Sequence, residues 1–252
     1  MVSLKSTEDI QHLAEGGALL GNILEELGSM VKPGVTGQEL EVVARKRMQE
    51  HNVIPAFLGY GGGGHTPYPA ALCVSVNEVV VHGIPSSQPF VEGDIVSIDA
   101  GLIYKNKYYL DSAHTFAVGT LAPQTQRLLD ITKQSLDKGI AVARIGNTTG
   151  DIGHAVQSFV ESNGLGVVHQ LVGHGVGFDV HEEPQVPNFG KPGRGHILEE
   201  GLVIAIEPMV TIGDPAVITE ADGWTISTKA GGLAAHFEHT VAITKDGPKV
   251  LT

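Results

Sequence analysis

The sequence predicts an α+β fold built from two related halves, and three observations support this prediction. Short motifs recur in the same order at a separation of roughly 120 residues, which is far longer than a solenoid repeat. In each half, segments with the hydrophobic period of a helix precede segments with the character of strands. The later strands read as hairpins, which indicates a mainly antiparallel sheet.

Two pairs of segments carry the internal repeat. KPGVTGQE (32–39) matches RIGNTTGDI (144–152), and VEGDIVSID (91–99) matches EEGLVIAIE (199–207). Two shorter pairs keep the same order along the chain: VHGI (81–84) with GHGV (173–176), and TFAV (115–118) with TVAI (240–243). One match of this length is common by chance, but matches in a shared order favour a duplication.

The first half begins with two predicted helices. Ser6 can cap a helix that runs to about Met30, where a Pro-Gly pair ends it. Thr36 and Glu39 form a capping box for the second helix. Predicted strands follow at 72–81, 94–103 and 107–118, with YKNKY (104–108) as a hairpin tip.

The second half repeats this order. Helices are predicted from about Gln124 to Ala143 and from about Gly150 to Ser162. No linker or low-complexity segment separates the halves, so we expect residues 1–252 to form one domain. The predicted strands of this half lie near 167–172, 202–212, 224–228 and 235–244.

Composition limits the classes of function. The formal net charge of −12 argues against direct binding of nucleic acid, because nucleic-acid binders usually present a basic patch. No apolar run reaches the roughly 18 residues of a membrane span, and the N-terminus lacks the apolar region of a signal peptide. The single cysteine, Cys73, leaves no intramolecular disulfide, which is typical of a reducing compartment. We therefore expect a cytoplasmic protein with no membrane contact, and a monomer is the default expectation.

Four carboxylates stand where the predicted strands should be buried. Asp99 and Glu207 each end an apolar run at matching places in the two halves. Asp111 lies across the predicted hairpin from Asp99, and Glu238 precedes another apolar strand. A buried carboxylate is costly unless it is hydrogen-bonded, protonated or bound to a cation. Each one alone is compatible with a hydrogen-bonded strand end, but all four together favour a metal site.

The segment GHGVGFDVHEEP (173–184) adds His174 and His181. Three glycines within a few positions disfavour a helix, so we predict a strand or irregular turn that exposes His174 at close range. Carboxylates with one imidazole form an oxygen-rich site that suits Mn(II), Fe(II) or Co(II). Because four carboxylates exceed the need of one ion, two ions about 3.5–4 Å apart are the favoured interpretation.

A set of motifs is spread over the chain, namely SVNEVVVHGIP (75–85), SIDAG (97–101), DSAHTF (111–116), GHGVG (173–177), HEEP (181–184), IEPMV (206–210) and FEHT (237–240). Together these motifs resemble type I methionine aminopeptidases, which belong to the pita-bread metallopeptidase superfamily. The resemblance implies a pita-bread (creatinase/aminopeptidase) fold, in which a pseudo-two-fold repeat of helices packs on a curved, mainly antiparallel sheet. It also implies a hydrolase that removes the N-terminal methionine from peptides and nascent chains.

The resemblance also implies roles for single residues. Glu207 would be both a metal ligand and the general base, while His82 and His181 would contact the substrate and stabilise the tetrahedral intermediate. The implied cofactor is a pair of divalent ions, Fe(II), Mn(II) or Co(II), with Zn(II) as a further candidate. The implied metal ligands are Asp99, Asp111, His174, Glu207 and Glu238, and the implied walls of the methionine pocket are Cys73, Trp224 and Tyr60, with Phe57 and Tyr68 as further candidates.

Two departures from the family pattern bear on specificity. Asp99 and Asp111 have one more residue between them than is usual, so we expect a bulge or a longer tip within Tyr104–Tyr109. The Gly-rich segment 59–72 is longer than its counterpart, so the entrance of the pocket should differ.

Other functions remain open at this stage. An X-Pro aminopeptidase or dipeptidase would use the same scaffold with a different wall around the first residue. A relative that has lost its metals and acts as a binding partner is a second alternative, and the five intact candidate ligands argue against it. Nascent chains imply a ribosome nearby, although the sequence shows no basic docking patch.

Overall fold

A computed structural model describes residues 2–61 and 66–252 of the chain. Within these ranges the predicted α+β class is confirmed. No helix in the described part is long and apolar enough to cross a membrane. The four helices are α1 (Thr7–Met30), α2 (Gly37–Glu50), α3 (Pro123–Val142) and α4 (Thr149–Ser162).

The capping motifs of the sequence begin three of these helices. The Ser6 side chain accepts a hydrogen bond from the Asp9 backbone, and the Asp9 carboxylate accepts one from the Ser6 backbone. The repeated motif forms the same structure twice, because Thr36 caps α2 and Thr148 caps α4. Each capping threonine also forms an isolated antiparallel bridge, one to residue 89 and one to residue 197. The duplication read from the sequence is therefore visible in the local structure.

Fifteen strands follow or separate the helices in the described ranges, and all their pairings are antiparallel. The prediction of a mainly antiparallel sheet is confirmed. The strands are β1 (Ile54–Pro55), β2 (Leu72–Val76), β3 (Val79–Val81), β4 (Ile95–Tyr104), β5 (Tyr108–Ala117), β6 (Gly166–Val167), β7 (Gly173–Gly175), β8 (Glu182–Val186), β9 (Val203–Ile206), β10 (Met209–Thr211), β11 (Val217–Thr219), β12 (Ile226–Thr228), β13 (Ala234–His236), β14 (Glu238–Thr244) and β15 (Gly247–Val250).

The largest sheet joins the two halves at its centre. Its nine strands run in the order β1-β4-β5-β14-β9-β7-β8, with β2 beside β4 and β15 beside β14. Strands β4 and β5 come from the first half, and β9 and β14 come from the second. The contact between β5 and β14, with Ala113 opposite Glu238, is therefore the seam between the halves. Two three-stranded sheets complete the fold, in the orders β13-β10-β6 and β11-β12-β3.

Each half has its own apolar core between helices and sheet. One core joins α1 and α2 to the first-half strands, and Leu20 and Leu102 are fully buried in it. The other core joins α3 and α4 to the second-half strands, and it fully buries Val156 and Ile204. Because successive strand residues point to opposite faces, a face that packs on helices leaves the other face free for a site.

Several predicted strands are interrupted in the structure. The strand predicted at 202–212 divides into β9 and β10 because Pro208 lacks the N–H that a continuous ladder requires. The strand predicted at 72–81 divides at Asn77, whose φ of 56° places it in the left-handed region. The strand predicted near 167–172 is only two residues long in the structure. It is β6, Gly166–Val167, which overlaps the predicted range at Val167.

The hairpin between β4 and β5 contains no bulge, so of the two expected alternatives the structure has the longer tip. Its ladder is continuous from the pair Ile95 and Ala117 to the pair Tyr104 and Tyr108. The extra residue is absorbed by the tip, where Lys105 has a φ of 50° in the left-handed region. Both aspartates of the hairpin therefore keep the same face.

The Gly-rich segment 59–72 lies only partly in the described structure, because residues 62–65 fall outside it. At its described ends, the backbone N–H of Gly59 donates to the carbonyl of Tyr68, and the N–H of Tyr68 donates to the carbonyl of Tyr60. These bonds of 2.9 Å and 2.8 Å hold the two ends of the segment together.

A buried ion pair connects the segment before α1 to the first residue of β8. The Lys5 side chain is fully buried, and its Nζ lies 2.5 Å from Glu182 Oε2. The other oxygen of Glu182 accepts hydrogen bonds from the backbone N–H groups of Phe178 and Asp179. Because Glu182 directly follows His181, this pair holds the turn that carries one of the candidate active-site histidines.

We expect Lys5→Met to lower the free energy of unfolding by about 3–5 kcal/mol, because Glu182 would keep a buried charge without its partner. The matched control is Lys46→Met, since Lys46 forms an exposed pair with Glu50 at 3.9 Å. The control should change stability by less than about 1 kcal/mol. Chemical denaturation of both variants checks this, and equal losses would contradict the role of the buried pair.

Candidate active site

The register of three central strands gathers carboxylates on one face of the large sheet. Asp99 of β4 lies opposite Ala113 of β5, and Ala113 lies opposite Glu238 of β14. Asp111 lies opposite Gly101, two positions along the same ladder, so it shares the face of Asp99. The residues between the carboxylates are small, which leaves space among the charged groups.

Asp99 lies in the middle of the ten-residue strand β4, as the strand predicted at 94–103 implies. The burial expected there is present. The exposed fractions of Asp99, Asp111 and Glu238 are 9%, 4% and 2%. Glu207 follows β9 immediately, and its side chain is 12% exposed.

Burial and mutual repulsion raise the pKa values of these carboxyl groups. Burial raises the pKa of Asp111 to about 7. Burial, and then the charges of neighbouring carboxylates, raise the pKa values of Asp99, Glu207 and Glu238 well above their ordinary range. Within the described residues, Asp99 Oδ1, Asp111 Oδ1 and Glu238 Oε1 have no hydrogen-bond partner. The site therefore lacks positive charge, and a cation is the partner that these oxygens require.

His174 brings an imidazole to the carboxylates. Its Nε2 lies 3.5 Å from Glu207 Oε1 and 3.9 Å from Asp111 Oδ2. Its Nδ1 lies 2.9 Å from the carbonyl oxygen of Gly175, so we assign the proton to Nδ1 and the lone pair to Nε2. Burial lowers the pKa of His174 to about 3, which keeps the ring neutral.

The predicted strand around His174 is confirmed as β7, and its glycines have a steric reason. A Cβ at Gly173 would collide with the carbonyl oxygen of Ala205, and a Cβ at Gly175 would collide with that of Glu183. Glycine therefore lets β7 pack closely between its neighbours. This packing brings His174 to the carboxylate cluster.

Three of the candidate ligands already meet the geometry of a metal site. One donor atom from each of Asp111, His174 and Glu238 lies within 4.8 Å of the other two. A neutral nitrogen donor and several carboxylate oxygens form a donor set that suits a hard or borderline divalent ion. Together with the unpartnered oxygens, this donor set fits the metal that the sequence analysis expected.

His82 and His181 line the same cavity. His82 follows β3 with a φ of 59°, and burial lowers its pKa to about 4. The His181 ring packs edge-on against His174 with 4.4 Å between the ring centroids. His181 Nδ1 also forms a hydrogen bond of 2.7 Å with the Tyr60 hydroxyl.

An apolar pocket opens beside the carboxylates. The Tyr68 and Trp224 rings meet edge-on at 5.3 Å, and Trp224 Nε1 donates a hydrogen bond to the carbonyl of Thr66. The Tyr68 hydroxyl is turned away towards backbone carbonyls of Leu72 and residue 83. The cavity brings together every candidate residue of the sequence analysis, namely Phe57, Tyr60, Tyr68, Cys73, His82, Asp99, Asp111, His174, His181, Glu207, Trp224 and Glu238.

Sequence reasoning missed one buried residue of the site, His236. Its Nε2 lies 3.6 Å from Glu207 Oε2 and 4.0 Å from Glu238 Oε2. Burial, followed by repulsion from other histidines, lowers its pKa to about 3. His236 stands two positions before Glu238, and this spacing was the signal that could have revealed it, because residues two apart in extended chain share a face.

Comparison with known proteins agrees with this geometry. Residues 11–245 match the model of metallopeptidase family M24. A methionine aminopeptidase from Clostridium acetobutylicum is 46% identical over 253 residues, covering 100% of this chain and 99% of that protein. The crystal structure of a methionine aminopeptidase from Thermotoga maritima superposes with a TM-score of 0.96 at 42% identity, covering 100% of this chain and 99% of the other.

A prolidase from Pyrococcus furiosus resembles the chain more distantly. It superposes with a TM-score of 0.77 at 22% identity, covering 99% of this chain and 65% of that chain. This likeness shows the shared fold, which is the pita-bread fold expected from the sequence.

We expect the metal-free protein to lose stability as the pH rises from about 7 to about 8, because the folded-state pKa of Asp111 is about 7 and the pKa values of the other carboxyl groups are also raised. Carboxyl groups with raised pKa values keep protons in the folded state that the unfolded state has released, so rising pH favours unfolding. Each retained proton contributes up to about 1.4 kcal/mol per pH unit. The lowered pKa values of His174 and His236 affect stability mainly below this pH window. There they make the folded state more stable as the pH rises, which is the opposite direction.

Melting temperatures of the metal-stripped protein across this window provide the measurement. Saturating Mn(II) is the control, because a bound cation replaces the protons and should remove the decline. A metal-free melting temperature that stays constant or rises across the window would contradict the carboxylate repulsion.

Proposed function

The chain belongs to metallopeptidase family M24, and we propose that it is a metal-dependent aminopeptidase that removes N-terminal methionine from peptides and nascent proteins. The observation that carries this proposal is one cavity that joins a cation site to an apolar pocket. An exopeptidase for methionine requires both, because the scissile carbonyl must lie at the metals while the thioether enters the pocket.

Five residues are proposed to hold two divalent ions. When bound, such ions polarise a carbonyl group and lower the pKa of water. Fe(II), Mn(II) and Co(II) are the candidates that suit the oxygen-rich donor set, and Zn(II) is a further candidate. The proposed ligands are Asp99, Asp111, His174, Glu207 and Glu238.

Glu207 is proposed to accept the proton of the attacking water. Its carboxylate lies beside His174 at 3.5 Å, and its backbone is held by Asn188, whose Nδ2 donates to the Glu207 carbonyl oxygen at 2.9 Å. A carboxylate at this position can accept a proton from water and release it again. Glu207 can then return the proton to the leaving amine.

His181 and His82 are proposed to stabilise the tetrahedral intermediate. If the Tyr60 hydroxyl donates to His181 Nδ1, the proton of the neutral His181 ring is on Nε2 and can be donated to the developing oxyanion. His82 lines the same cavity and is proposed to contact the leaving amide. Because both rings line the cavity that holds the scissile bond, we expect a small second residue in the substrate.

The methionine side chain is proposed to enter the apolar end of the cavity. Cys73 is directly opposite Asp99 in the ladder between β2 and β4, so the pocket begins next to the cation site. Trp224, Tyr68 and Tyr60 supply aromatic walls. Aromatic edges and a thiol suit a polarisable thioether.

The finer setting of the activity is also a proposal. We expect a monomer that acts in the cytoplasm on nascent chains, and therefore near the ribosome. The net charge of −12 supports peptide substrates over nucleic acid.

The deciding experiment compares two peptides, one that begins with Met-Gly and one that begins with Ala-Pro. Metal-stripped protein is refilled separately with Fe(II), Mn(II) or Co(II) before each assay. We expect release of free methionine from the first peptide and no cleavage of the second. Cleavage only before proline would assign the site to an X-Pro peptidase, and cleavage of neither peptide by a protein that retains no metal would favour a binding protein.

We expect His174→Ala and Glu207→Ala to lower kcat by at least about 10³-fold on the Met-Gly peptide. Each substitution removes a proposed metal ligand, and Glu207→Ala also removes the proposed general base. The control is His154→Ala, since His154 lies exposed on α4 and contacts Ser158. The control should keep its activity. Turnover near the wild-type rate in either site variant would refute the assignment.

We expect Trp224→Ala to raise KM for the methionyl peptide by about 10–100-fold with little change in kcat, because it removes apolar binding area but no proposed metal ligand or proton-transfer group. Trp224→Phe keeps an aromatic wall and should change KM by only a few-fold. Steady-state kinetics of both variants separates the two parameters. An unchanged KM in Trp224→Ala would place the methionine side chain elsewhere.

A further inference from the structure

The orientation of Glu207 depends on what each of its oxygens faces. Oε1 lies 3.5 Å from His174 Nε2, and Oε2 lies 3.6 Å from His236 Nε2. The two oxygens are therefore directed towards different imidazoles on opposite sides of the carboxylate. Rotation of the carboxylate would exchange these two oxygens. A carboxylate that transfers protons through one particular oxygen therefore needs a contact that fixes its orientation.

His236 is buried, and its ring nitrogen is unpartnered. The residue is 2% exposed, and within the described structure Nε2 makes no hydrogen bond. The nearest acceptors are Glu207 Oε2 and, at 4.0 Å, Glu238 Oε2. A buried N–H group without a hydrogen-bond partner is energetically costly. A histidine at this position is therefore best explained if one of these carboxylates accepts a hydrogen bond from its Nε2–H.

The backbone of His236 is held firmly enough to give the ring a defined position. Its N–H donates to Thr115 Oγ1 at 3.0 Å, and Thr115 Oγ1 donates to the His236 carbonyl at 2.8 Å. Met209 pairs with His236 in the ladder between β10 and β13. Because Thr115 belongs to β5 of the first half, these bonds also tie His236 across the seam of the fold.

We propose that His236 is a positioning residue whose Nε2–H donates to Glu207 Oε2 and thereby turns Oε1 towards His174 and the cation site. His236 contacts neither substrate nor metal in this arrangement. A donor of this kind fixes the direction of a ligating carboxylate and raises the metal affinity of the site. This inference rests on the proposed function only where it treats Glu207 as the general base. The expected effect of His236 on metal affinity does not depend on the proposed function.

Direct metal ligation by His236 is the main rival. The donor atoms that lie within 4.8 Å of one another belong to Asp111, His174 and Glu238. The Nε2 of His236 faces one oxygen of Glu207 and one of Glu238. The two arrangements predict different metal stoichiometries.

Two substitutions separate donation from packing. His236→Gln keeps an N–H donor at similar reach, whereas His236→Leu fills the space without a donor. His114→Leu is the matched control, because His114 is a half-buried histidine whose ladder position, opposite Ile98, puts it on the other face of β5. Calorimetric titration of each metal-stripped protein with Mn(II) gives affinity and stoichiometry, and the Met-Gly peptide gives kcat and KM.

We expect His236→Leu to weaken Mn(II) binding or lower kcat by about 10–100-fold, with KM within a few-fold of the wild type and stoichiometry unchanged. His236→Gln should recover most of the loss, and His114→Leu should bind Mn(II) like the wild type. Melting temperatures of the metal-free variants identify any that fail to fold.

Three outcomes would overturn the inference. Wild-type affinity and kcat in His236→Leu would show that no donor is needed. Equal losses in the Gln and Leu variants would indicate packing, and a loss of one bound ion would indicate direct ligation. If the wild type binds Mn(II) but releases no methionine, the proposed function fails, and the order of the Mn(II) affinities still decides the role of His236.

Discussion

Repulsion among four buried carboxylates is the constraint on which the rest of this structure depends. Asp99, Asp111 and Glu238 are almost completely enclosed, and burial raises the pKa of Asp111 to about 7. Such a cluster destabilises the fold unless a cation occupies it or protons neutralise it. The rest of the fold must therefore contribute enough stabilising free energy to hold these groups together. Well-packed helices and strands are the elements that can do so.

The duplicated frame supplies that rigidity. Each half has two helices, a separate apolar core and a pair of strands, and the pairs meet where β5 contacts β14. The capping boxes at Thr36 and Thr148 begin equivalent helices in the two halves. Because the carboxylates are contributed from both sides of the seam, the cation site joins the halves. Metal binding should therefore stabilise the whole domain as well as the site.

The cavity has two ends with different chemistry, and histidines stand between them. Carboxylates and His174 form the charged end, while Cys73 and the aromatic rings form the apolar end. His181 links them, because it packs on His174 and hydrogen-bonds with Tyr60. The buried pair between Lys5 and Glu182 fixes the turn beside His181. A substrate with an apolar side chain next to its scissile carbonyl is suited to this arrangement.

Local signals were sufficient to predict the class of the fold, the helix starts at Ser6 and Thr36 and the duplicated order of elements, because capping and hydrophobic period act between residues close in sequence. The family resemblance identified all the residues that the cavity brings together. Only the tertiary structure decided that the hairpin tip absorbs the extra residue and that His236 faces Glu207. These features depend on strand register and on contacts between segments far apart in the chain, which no local pattern encodes.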